Sequence, residues 1–182
     1  DGRFLVAANG DFLQVWNNWD RQGMGARPTQ LPGSRCLFTK ENHLLAASKN
    51  AIKAHDLNAN NMVTATLDVI DTTVRGLALT VDEKVLATHD EKSITLWDWP
   101  GKRLIGQFDA HEAAITTVAF APDGKTLASA SADRTIKLWD VETRTERATL
   151  QQHAWTVASI AFTPDGKHLA SGGLDGMLLV WD

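Results

Sequence analysis

Two stretches of this sequence carry one pattern: HEAAITTVAFAPDGKTLASASADRTIKLWD at 111–140 and HAWTVASIAFTPDGKHLASGGLDGMLLVWD at 153–182. A repeat of this kind constrains the fold strongly, because each copy must build the same unit and bury its apolar faces against the next. In the first stretch Ile115–Phe120, Thr126–Ser131 and Thr135–Trp139 are short runs rich in β-branched and apolar residues, which predicts three strands. Pro122-Asp123-Gly124 predicts a tight turn, since Pro fixes φ and Gly accepts a positive one. Ala132-Asp133-Arg134 predicts a second turn. Ile115 and Ala119 alternate with Val118 and Phe120, so the first strand is apolar on both faces. A sheet apolar on both faces must be covered on both, and this unit therefore needs a neighbour on each side.

Trp139-Asp140 recurs as Trp181-Asp182 and as Trp97-Asp98, at 42 residues in each step. His55-Asp56 lies a further 42 back, and Trp16-Asn17 lies 39 before that. Five copies result, at approximately 1–33, 34–69, 70–110, 111–152 and 153–182. A period of about 40–45 residues closing on Trp-Asp is the signature of a four-stranded propeller blade. The chain resembles the WD-repeat family of β-propellers over nearly its whole length. The match is most specific in the last two copies, good in the third and degenerate in the first two. The resemblance implies an all-β fold, a single partial propeller of four-stranded antiparallel blades over residues 1–182.

The remaining copies read in the same way. RCLFT, HLLAAS, AIKAHDL and MVTATL are the expected strands of the second, and VRGLALT, VLATH, SITLWDW and RLIGQF those of the third. In the first, two strands flank Asn9-Gly10-Asp11, a hairpin signal, and a weak outer strand is expected near Thr29–Leu31. No window shows sustained i, i+3, i+4 apolar spacing, so no helix is expected. Four to five blades, starting at a second strand and stopping at a third, predict a fragment of a larger ring of about seven blades. The alternative is a chain that completes itself by self-association. By itself the chain is expected to leave apolar faces such as Leu178 and Val180 uncovered, which is what either completion would remedy.

His111, Ser129 and Asp133 recur as His153, Ser171 and Asp175 at identical spacing. These are the residue types of nucleophilic acyl transfer. Two sets argue against one active site, and each Ser lies in a strand of small residues without the sharp G-x-S-x-G elbow. The resemblance instead implies structural tetrads, His111–Ser129–Asp133–Trp139 and His153–Ser171–Asp175–Trp181. The indole N–H can only donate and the carboxylate only accept, with imidazole and hydroxyl relaying between them. The third copy offers a partial set, Thr88 with Asp90 or Glu91, and the first two copies none. His43, His55, His89 and His168 read as strand-end or surface residues without metal-site spacing.

Trp16, Trp97, Trp139 and Trp181 occupy core repeat positions, whereas Trp19, Trp99 and Trp155 do not. Trp155 matches Ala113 of the fourth copy, so the repeat does not demand an aromatic there. It becomes the candidate partner-binding residue, with Glu112, Asp71 and Leu174 as its expected neighbours on the upper face.

The net charge of −4, with no basic stripe, argues against nucleic acid as a partner. No apolar run is long enough for a membrane helix. The single Cys36 excludes an internal disulfide framework and fits a cytoplasmic location. No cofactor and no metal are expected. The expected function is a non-catalytic scaffold for protein or peptide partners. The alternative is a propeller segment that orients a separate enzymatic or redox domain of a larger protein.

Overall fold

The computed structural model describes residues 4–9, 12–17, 29–33, 35–40, 43–48, 51–59, 62–69 and 73–182. Among these every regular element is a β-strand, and no helix is long and apolar enough to cross a membrane. The chain divides into two compact units, Asp1–Val74 and Arg75–Asp182.

In the first unit, β1 (Phe4–Asn9), β2 (Phe12–Asn17) and β3 (Thr29–Pro32) form a three-stranded antiparallel sheet. Next come β4 (Arg35–Phe38), β5 (His43–Ala47), β6 (Ala51–Asp56) and β7 (Met62–Asp68), a four-stranded meander. The two sheets share one apolar layer. Leu13, Val15 and Leu31 of the first meet Leu44, Ala46 and Leu57 of the second.

The second unit holds three sheets. The first runs β8 (Gly76–Leu79), β9 (Val85–His89), β10 (Ser93–Asp98) and β11 (Arg103–Asp109). The second runs β12 (Ile115–Phe120), β13 (Thr126–Ser131), β14 (Ile136–Asp140) and β15 (Glu146–Leu150). The third consists of β16 (Val157–Phe162), β17 (Leu169–Gly173) and β18 (Leu178–Trp181). All pair antiparallel in sequence order, and the first strand of the middle sheet packs against both β8 and β16.

The middle sheet has two apolar faces, but an irregularity in β12 between Ile115 and Thr117 puts Ile115 on the same face as Val118, not the opposite one. On one, Ile115, Val118, Leu127 and Trp139 pack with Ala87, Ile94 and Leu96 of the β8–β11 sheet. On the other, Ala128, Ala130 and Ile136 pack with Val157 and Leu169. Each fully buried Leu or Ile contributes about 1.5–3 kcal/mol. β13 is enclosed on both faces, and its sequence TLASAS supplies the small side chains such a strand needs. The outer strand β15, ERATL, is polar and largely exposed, as an edge strand should be.

The turns follow their chemistry. Gly124 and Gly166 take φ of 69° and 71°, and their amides donate to Ala121 O and Thr163 O at 2.9 and 2.8 Å. Arg134 takes φ 73° where the next copy has Gly176 at 77°.

Two further expectations need correction. β14 starts at Ile136 rather than Thr135, because the amide and hydroxyl of Thr135 both donate to the Asp133 carboxylate, at 3.0 and 2.6 Å. Trp99 is buried, at a core position of the repeat rather than outside one. It shares its place after the Trp-Asp or His-Asp pair with Leu57 and Val141, and Lys102 Nζ sits 3.1 Å from its ring centroid. His55 and His89 stand at the ends of β6 and β9, as expected, and both are buried there. His89 fits because its strand partner is Gly76, where a Cβ would lie 2.3 Å from the imidazole Nε2.

Candidate functional site

The loops before β12 and β16 and the turns after β13 and β17 lie at one end of the second unit. A chain of hydrogen bonds joins them in each of the last two sheets. In the middle sheet the Trp139 indole N–H donates to Ser129 Oγ at 2.9 Å. Ser129 Oγ lies 2.7 Å from His111 Nε2, and His111 Nδ1 lies 2.8 Å from Asp133 Oδ2. One tautomer satisfies the chain: Nδ1–H donates to the carboxylate, and Nε2 accepts the seryl proton. The same Asp133 accepts from the Glu112 amide at 3.3 Å.

In the last sheet Trp181 donates to Ser171 Oγ at 2.9 Å, Ser171 lies 2.8 Å from His153 Nε2, and His153 Nδ1 lies 2.9 Å from Asp175 Oδ2. Asp175 also accepts the amides of Ala154 at 2.8 Å and Met177 at 3.0 Å. One carboxylate therefore ties the loop before β16 to the turn after β17. Among the described residues the β8–β11 sheet shows one link of this kind, from Trp97 Nε1 to Thr88 Oγ1 at 3.0 Å. Its Asp90 instead accepts the amides of Lys92 and Ser93 within its own turn, and Glu91 lies 3.9 Å from Arg75.

The electrostatics suit a neutral imidazole against a charged carboxylate. Burial pushes the His111 pKa down and outweighs the opposing pull of Asp133. Burial opposes ionisation of Asp133, but the hydroxyl and amide of Thr135 and the His111 ring hold its carboxyl below the usual range. Asp175 is likewise lowered against the cost of burial, by the Met177 amide, His153 and the Ala154 amide.

The connectivity Ser–His–Asp is that of an acyl-transfer triad, but the hydroxyl is not presented to solvent. Ser129 is 0% and Ser171 1% exposed, and each already accepts an indole N–H. Among the described residues no group of three His, Cys, Asp or Glu could hold a metal ion.

The structure gives the partner candidates different places. Trp155 is 67% and Leu174 70% exposed, and the Leu174 amide donates to Thr156 O at 2.8 Å, so the two flank one junction. Glu112 is exposed on the equivalent loop of the middle sheet. Asp71 lies outside the described residues, as do Trp19 and the Gly10-Asp11 turn. Met177, 54% exposed on the same turn as Leu174, escaped the sequence reading. Its signal was available, since the matching residue of the fourth copy is Thr135.

Two segments match a known family. Residues 102–140 and 144–182 each fit the family model described as WD domain, G-beta repeat. No curated protein matches the chain.

Proposed function

Residues 102–140 and 144–182 match the WD domain, G-beta repeat family, and on that premise we propose that the chain is a non-catalytic scaffold for a protein or peptide partner. Repeats of this family serve generally in protein interaction, while a fold by itself does not specify a partner. The buried hydroxyls of Ser129 and Ser171 support a structural role for both tetrads. One observation carries the binding role. Trp155 stands exposed on a loop whose backbone is fixed by Asp175 through the Ala154 amide. A large aromatic on a rigidly held loop is a typical binding hot spot, because little conformational freedom is lost when a partner covers it.

The test takes a protein co-purified with the chain from its native cell and titrates it against the chain and Trp155→Ala. Binding should weaken at least about tenfold, or about 1.4 kcal/mol, with the melting temperature unchanged. A large loss of stability with intact affinity would make Trp155 structural and remove the basis of this reading.

A further inference from the structure

The last two sheets provide an internal comparison. Their backbones follow the same turns, so positions that differ in character mark what the repeat does not require. Trp155, Leu174 and Met177 stand where the fourth copy has Ala113, Ala132 and Thr135. Those three counterparts are only half-buried even with β16 packed beside β12, so the positions stay at the rim when a neighbouring sheet is present. All three replacements go from small or polar to large and apolar. All three gather around Asp175, whose carboxylate takes the Ala154 and Met177 amides, while Leu174 precedes it.

The charge around this cluster is negative on balance. The loop at 153–156 and the turn at 173–177 contain no Lys or Arg, and Asp175 is their one carboxylate. On the matching segments of the adjacent sheet, Glu112 and Asp133 outnumber the single cation Arg134. Three flexible or aromatic apolar side chains give an adaptable surface, and the carboxylates around them favour a cationic neighbour.

We propose that Trp155, Leu174 and Met177 form a docking surface for a peptide segment that presents an apolar side chain beside a Lys or Arg. The proposal deepens the scaffold reading and rests on it. The apolar side chain covers the indole and the two aliphatic side chains, and the cation lies toward Glu112 and Asp133.

The test selects a random peptide library on the intact chain, then measures the enriched peptides by fluorescence anisotropy at low and high salt. Trp155→Ala, Leu174→Ala and Met177→Thr are compared, each with a thermal melt. All three substitutions install the residue that the fourth copy carries at the same place, so folding should survive. Enriched peptides should pair an apolar residue with Lys or Arg, lose about tenfold or more in affinity with Trp155→Ala, and weaken as salt rises. Peptides without a basic residue, or insensitive to all three substitutions, would overturn the docking surface and leave the scaffold reading standing. No enrichment at all would overturn both. A concentration-dependent dimer that Trp155→Ala abolishes would show that a second copy occupies the patch, and would overturn the peptide proposal.

Discussion

Trp139 and Ser129, ten positions apart, meet across β13 and β14 with the indole N–H 2.9 Å from the hydroxyl oxygen. The indole also lies 4.8 Å, centroid to centroid, from Phe108 of the preceding sheet. Trp139 therefore links a polar network to an intersheet apolar core. Trp139→Ala should cost about 3–5 kcal/mol, from lost burial and a cavity. Trp139→Phe should recover most of the packing and leave mainly the loss of one donor. Chemical denaturation of both variants checks the difference.

The carboxylates of the two tetrads are not equivalent. Asp133 accepts a hydroxyl from Thr135 at 2.6 Å, whereas the matching residue beside Asp175 is Met177, which has none to offer. Asp133→Ala leaves buried donors without an acceptor and should cost about 1–3 kcal/mol. Met177→Thr should supply Asp175 with the missing hydroxyl and raise the melting temperature. If Met177 also serves docking, the same substitution gains stability while weakening peptide binding, a trade common at binding surfaces.

Acid should act on this end of the molecule in two stages. The His111 pKa is lowered by burial, so the unfolded chain takes up a proton on this ring that the folded chain does not. Stability therefore falls as pH drops through the ordinary histidine range, near about 6.5. Asp133, also lowered, contributes stability present above the ordinary carboxylate range and lost as pH falls through its folded value. Melting curves from pH 7.5 to 5.5 should show the first stage. His111→Gln should be less stable at pH 7.5 yet flatter across that window.

Gly76 and His89 face one another across β8 and β9, and the imidazole takes the space a Cβ would need. Gly76→Ala should destabilise by about 1–3 kcal/mol through overpacking. Adding His89→Ala should relieve that clash, so the double variant should be more stable than the two single losses predict. A double-mutant cycle measures this coupling.

The strands were legible in the sequence because β-branched runs between Pro-Asp-Gly and Asp-Gly turns recur at a fixed period. His111, Ser129 and Asp133 stood out as a set because the same residue types recur at the same spacing in 153–182. Single residues with context-specific packing were harder to read. Trp99 looks like a stray aromatic in a turn until it is set beside Leu57 and Val141, and the cation that covers it, Lys102, matches Arg144 of the fourth copy, with a positive φ in both. The burial of His89 depends on the absence of a side chain at Gly76, which a scan of residue types along one strand does not reveal. Thr116 is a similar case. Its hydroxyl oxygen lies 2.6 Å from Val157 O in the next sheet, the shorter contact, and 3.1 Å from Ala130 O, with one proton to donate, while the fifth copy has Ala158 in the same place.

The most direct test of a structural rather than catalytic tetrad is Ser129→Ala, with melting temperature and p-nitrophenyl ester hydrolysis measured on the same sample. The buried, indole-bonded hydroxyl predicts a lower melting temperature, with a stability loss of about 1–3 kcal/mol, and a hydrolysis rate equal to that of the unsubstituted chain. An unchanged melting temperature with loss of ester hydrolysis would instead make Ser129 a nucleophile and the chain an enzyme.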